Sequence, residues 1–111
     1  MEVSMSIDSK NIAKKNDLLR TTFLTGKVVL SLSVRESVDR EQVITAVREF
    51  DDFTEDNDPY GEHDCGMVCV NEDNYIFKID YYNKDYSMGV DPYDVDVVVR
   101  RVLTIMHSSE Y

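Results

Sequence analysis

The chain predicts an α+β fold, a three-stranded, mainly antiparallel sheet with three helices in the order α-β-α-β-β-α. Three observations carry that expectation. Apolar residues recur at helical spacing over about 9–24, 39–50 and 95–106. They follow a period of two over 27–34 and 75–82. Turn chemistry separates these runs, at Gly26, Asp58-Pro59, Gly61 and Asp91-Pro92. With 111 residues there is room for a single domain with one modest core, expected over 9–111 behind a loose tail at 1–8.

Each element has a local reason. Asp8 or Ser9 can cap a first helix that runs to about Leu24, with Ile12, Leu19 and Phe23 on one stripe. Lys14, Lys15 and Arg20 then lie outside, and Gly26 serves as a left-handed terminator. The run KVVLSLSV sets Val28, Leu30, Leu32 and Val34 on one side, a half-buried strand. Asp39 with Gln42 suggests a capping box, Val38 and Val43 a staple, and Val43, Ala46, Val47 and Phe50 one helical face. Strands at about 66–70 and 75–82 form a hairpin through Asn71–Asn74. In the second, Tyr75, Phe77, Ile79 and Tyr81 share one face and Lys78, Asp80 and Tyr82 the other. Asp91-Pro92 suits the start of a last helix with Val95, Val98, Val99, Val102, Ile105 and Met106 on its stripe, although the valine-rich run also suits a strand.

Charge is distributed unevenly. Residues 1–48 carry 8 basic and 6 acidic side chains, whereas 49–111 carry 4 basic and 16 acidic ones, for a chain total of −10. The segment DDFTEDNDPYGEHD (51–64) holds seven carboxylates and no Lys or Arg. Such a surface repels nucleic acid and anionic membranes and attracts cationic partners. No apolar run nears the roughly 20 residues of a membrane span, and the N-terminal residues have no apolar core of signal-peptide type. Two cysteines, Cys65 and Cys69, are too few to staple a fold. The expectation is a cytoplasmic protein with no cofactor.

Three groups of residues suggest chemistry. Asp56, Asp58, Glu62 and Asp64 could ligate a hard cation, but their spacing matches no EF-hand, and a solvated loop explains them as well. His63, Cys65 and Cys69 form a partial zinc set without a fourth ligand. Glu62, His63, Asp64, Lys78 and Asp80 could converge for acid–base work, while His63 could equally tie the loop to the sheet. No metal site is assigned. Tyr60, Tyr81, Tyr82, Tyr86 and Tyr93 fall close to the acidic segments and with them have the composition of a polar recognition surface. Tyr81 could equally be core and the others ordinary loop residues. At the far end, His107 would suit the C-terminus of the expected last helix.

Several blocks together resemble a known family. They are NDLLR (16–20), GKVVL (26–30), DNDPYGEHDCG (56–66), FKIDYY (77–82), Asp91-Pro92, RVLTIM (101–106) and the closing Glu110-Tyr111. The combination is similar to a family of short bacterial proteins catalogued as domain of unknown function 3768. The resemblance implies a compact domain from proteobacteria, often plasmid-borne or on other mobile elements. It implies no activity. Cys65 stands where an aromatic is more usual, His107 where an apolar residue is, and Val99 where threonine is common. The first departure argues against a cysteine-based mechanism, the others against a site on the last element.

Function is therefore expected in one of three classes. The first is an acidic module that occupies the basic surface of a nucleic-acid-binding protein, such as a restriction or CRISPR component, through Asp51, Asp52, Glu55, Asp56, Asp58, Tyr60 and Glu62. A groove that sheds counterions onto phosphates also binds a carboxylate array. The second is an accessory or regulatory subunit, for which a homodimer is compatible. The third is a small metal-assisted hydrolase centred on His63.

Overall fold

A computed structural model describes residues 2–111, with side chains described from residue 9 onward. The tail expected over 1–8 lies outside the fully described residues. The elements are α1 (Glu2–Thr22), β1 (Lys27–Leu30), α2 (Leu32–Arg35), α3 (Arg40–Glu49), β2 (Cys65–Val70), β3 (Asp73–Tyr82), β4 (Arg100–His107) and a closing 3₁₀ turn, Ser108–Glu110. The mixed α+β class stands, with three α-helices and a sheet of four strands rather than three. The strands run β1-β4-β3-β2 across the sheet. β1 pairs with β4 in parallel, and the other two pairings are antiparallel.

The largest departure from expectation is the last element, which is a strand and not a helix. β4 is central, bonded to β1 on one side and β3 on the other. Leu103 and Ile105 are buried under the helices, and on the other face Val102 and Met106 are apolar too, so residues 102–106 are apolar but for Thr104. That continuous run erases the alternation by which a strand is usually recognised and leaves a helical stripe as readable as a strand. Asp91-Pro92 begins no helix. The Asp91 carboxylate accepts from the Tyr93 amide at 2.9 Å and shapes a turn.

The first strand is also shorter than its alternation suggested. It ends at Leu30, and Ser31 caps the short α2 by accepting from the Val34 amide. That turn puts Val34 into the core and leaves Leu32 exposed. α3 begins after Asp39 as expected, but no side-chain cap bond forms. Asp39 and Gln42 instead both accept from the Asn71 amide group, and Val38 is fully exposed, so there is no staple. Ser9 lies inside α1 and donates to Tyr60 O rather than capping. The β2–β3 hairpin turns on Asn71 and Glu72, both at positive φ, as a two-residue turn of matching twist requires.

One core joins the layers. Leu19 of α1, Val43 and Val47 of α3 and Val34 of α2 pack on Tyr75, Phe77, Ile79, Leu103 and Ile105 of the sheet. Gly66 lies opposite Phe77, and a β-carbon there would sit 2.7 Å from the Phe77 ring. The missing side chain is what lets that ring lie flat across the strand. Gly26 is not the left-handed terminator of α1; Phe23 holds the positive φ. A β-carbon at Gly26 would fall 2.6 Å from the Arg101 carbonyl oxygen, so the residue serves close approach of β1 to β4. Gly26→Ala should therefore lower stability by about 1–3 kcal/mol, read as a lower Tm with an unchanged far-UV spectrum.

Candidate functional site

The segment 51–64 crosses the end of the helical layer, and polar side chains of α1 hold it from beneath. Asn16, Asp17 and Arg20 project from consecutive turns of that helix. Asn16 and Arg20, within the stripe of Ile12 and Leu19, are buried, and Arg20 was expected outside. The burial is possible because their polar atoms are almost all partnered. Asn16 donates to Glu62 O at 3.0 Å and Tyr81 Oη at 2.8 Å, and accepts from Arg101 Nε at 2.8 Å.

Arg20 ties three elements. Its Nη1 donates to the carbonyls of Val47, Arg48 and Phe50, at 3.0, 3.3 and 2.7 Å, and so satisfies the C-terminal end of α3. Its Nη2 pairs with Asp17 at 2.9 Å. The guanidinium lies over Phe53 and Phe77, and its Nε is the one buried side-chain nitrogen or oxygen without a partner among the described residues.

His63 stands between two carboxylates. Its Nδ1 is 3.0 Å from both oxygens of Asp17, and its Nε2 is 3.7 Å from Asp58 Oδ2. An ionised carboxylate only accepts, so the hydrogen sits on Nδ1. Phe53 stacks on the ring at 3.9 Å and 3°. His63 occupies the left-handed region, φ 55°. The strain there is held by Asp58, which is buried and accepts from the amides of Glu62 (3.1 Å) and His63 (3.3 and 3.2 Å). Tyr93 donates to Glu62 Oε2 at 2.5 Å. Burial, then the bond to Glu62, pushes the Tyr93 phenol up to about 12, and burial does the same for Tyr81.

These contacts sort the expected site residues. Asp51, Asp52, Glu55 and Asp56 are exposed, and none forms a salt bridge among the described residues. Tyr60 is also exposed. Asp58 is buried and turned inward, so it shapes the loop instead of facing a partner; Glu62 is half-buried and engaged by Tyr93. Lys78 and Asp80 pair with each other at 2.8 Å on the sheet face away from the helices and do not join His63. Cys65 and Cys69 are exposed and unbonded on the edge strand β2. No group of three or more His, Cys, Asp or Glu side chains able to hold a metal ion occurs among the described residues.

Asp64 is the one carboxylate here with a displaced titration. Burial raises its pKa above the ordinary 3.8, and the charges of Asp58 and Asp80 add to the rise. The folded chain thus keeps a proton that the unfolded chain has released. Stability falls as pH climbs from the ordinary value through the raised one. Asp64→Asn should melt higher than the parent at neutral pH, with the difference gone at about pH 3. A lower melting temperature at both would contradict this.

Chemically, the arrangement is a clamp. One His63 nitrogen is spent on Asp17, and the other looks toward Asp58 and a shallow cleft of about 670 Å³ lined by Phe53, Tyr60 and Tyr93. Ser9 Oγ, at the same cleft, is committed to the Tyr60 carbonyl at 2.5 Å. Sequence reasoning placed Tyr93 near the acidic segments but missed Asn16, Asp17 and Arg20 as site residues. A signal existed for Asn16 and Arg20: both fall in the apolar stripe of α1, where polar residues are tolerated only with fixed partners.

Two sequence blocks singled out earlier, NDLLR and DNDPYGEHDCG, thus meet in space, with Tyr81 of FKIDYY beside them. No curated protein and no solved structure matches the chain. A family model described as a protein of unknown function (DUF3768) matches residues 25–110, and the chain belongs to that family.

Proposed function

We propose that the chain is a small, non-catalytic acidic module that binds the basic surface of a nucleic-acid-binding protein through the outer side of loop 51–64. One observation carries this reading. Of the inward groups of the loop, His63 is fixed to Asp17 of α1 and Asp58 to the amides of Glu62 and His63, while Asp51, Asp52, Glu55 and Asp56 are exposed without cationic partners among the described residues. Carboxylates already set at fixed positions lose less freedom on binding than those of a free tail. Exposed Tyr60 adds a rigid, amphipathic contact at their edge. A partner built to release counterions from a phosphate backbone gains similarly from this array.

Within that reading, the host is a bacterium carrying the gene on a mobile element. The complex forms in the cytoplasm, and the partner is a restriction or CRISPR-type defence protein whose nucleic-acid groove is blocked. The test is capture from a host lysate by the tagged chain, with washes of rising salt, beside the triple variant Asp51→Lys, Asp52→Lys, Asp56→Lys. Capture of a nucleic-acid-binding protein that is lost at high salt and absent with the variant is expected. Equal capture by the variant, with its melting temperature unchanged, contradicts the proposal.

A further inference from the structure

A second site lies on the other side of Tyr93 and has the opposite charge. Arg101 sits near the start of β4, half-buried, with Nε donating to Asn16 and the guanidinium over the Tyr81 ring at 5.4 Å. Its two terminal nitrogens have no hydrogen-bond partner among the described residues. They are not buried either, since Arg20 Nε is the one buried unpartnered side-chain nitrogen there. Arg101 forms no salt bridge among the described residues, although the chain carries 22 carboxylates. Burial holds the guanidinium below the usual arginine range, opposed only by Tyr81. Arg20, the other shielded arginine, has Asp17 instead.

The open nitrogens border a cleft of about 370 Å³ between α1 and the segment 92–99. Lys15 and Asn11, both exposed and without recorded side-chain bonds among the described residues, supply further donors on the same wall. Ile12, Val95 and Val99 supply an apolar wall. Val95 is 91% exposed. Asp94 is also at the cleft, but its Oδ1 already accepts from the Asp96 amide at 2.9 Å. Its charge opposes an anion, and a phosphate monoester more than a carboxylate, so the carboxylate is the favoured of the two.

We propose that this cleft binds a small anion with an apolar body, a carboxylate or a phosphate monoester, whose oxygens meet Arg101 and Lys15 while its apolar part covers Ile12, Val95 and Val99. The planar guanidinium fork matches either anion, and a cleft of this size holds a ligand of few carbons. The cleft shares Tyr93 with the loop 51–64 side, but its anion uses none of the exposed loop carboxylates.

The test is an amide NMR titration of the full chain with hexanoate and with phenyl phosphate, beside acetate, inorganic phosphate and hexanol. Saturable shifts confined to residues 11–15 and 92–101 are expected with one or both apolar anions, and at least about tenfold weaker binding with the three controls. Saturation by hexanoate alone assigns the carboxylate, and by phenyl phosphate alone the phosphate. Arg101→Gln and Lys15→Gln should each weaken binding about tenfold. Lys15 is exposed, so its variant reports even where Arg101→Gln fails to fold. No saturable shift, equal affinity for hexanoate and acetate, or undiminished binding by Lys15→Gln overturns the proposal.

Discussion

Arg20→Met should cost about 3–5 kcal/mol of folding stability, the largest loss expected from any single surface-to-core polar contact in the chain. The methionine keeps a flexible side chain of similar stem length and removes the guanidinium, together with its stacking on Phe53 and Phe77. Three carbonyls at the end of α3 and the Asp17 carboxylate then lose their donor together. A domain of this size has roughly 5–15 kcal/mol in total, so the variant should sit near its unfolding midpoint in mild urea. The readout is a lowered urea midpoint with unchanged slope. A loss under about 1 kcal/mol would mean that the arginine's desolvation had already offset its bonds.

Asp58→Ala should cost on the order of 2–4 kcal/mol by a different route. Its carboxylate accepts from two consecutive amides, Glu62 and His63, and faces the His63 ring. Without it both amides are left without an acceptor, and nothing offsets the positive φ at His63. The damage should stay local. The core of Leu19, Phe77, Leu103 and Ile105 does not touch this carboxylate, so far-UV signal and hairpin should persist while loop 51–64 loses its shape. Partner capture should weaken alongside, although Asp51, Asp52, Glu55 and Asp56 are all still present. Full capture by an Asp58→Ala chain would separate binding from loop geometry and leave charge alone as the cause.

How much of this was legible beforehand differs by element. The β3 faces were, because Tyr75, Phe77 and Ile79 are buried on one side with Lys78 and Asp80 on the other, and a half-buried strand writes its period into the sequence. So was α3, whose apolar face needs only Val43 and Val47 inside. β4 was not, since residues 102–106 are apolar on both faces but for Thr104, and such a run fits either period. β1 misled in the other way: alternation continued through Leu32 and Val34 after the backbone had turned into α2 at Ser31. In the site, the loop residues announced themselves through composition, but their partners did not. Asp17 meets His63 across 46 residues of sequence, and no local spacing encodes that contact. Asp58 reads as one more acidic residue in a run of seven, and only its burial separates it from Asp51 or Asp56.

The proposed binding needs a loop whose shape exists before any partner arrives, and amide hydrogen exchange on the free chain measures that directly. At neutral pH and moderate salt, the Glu62 and His63 amides should exchange far more slowly than the exposed Asp52 and Glu55 amides of the same loop, and Asp58→Ala should abolish the difference. Glu62 and His63 amides exchanging in the unaltered chain as fast as those of an unstructured peptide would contradict it, because the carboxylates would then have no fixed arrangement to present.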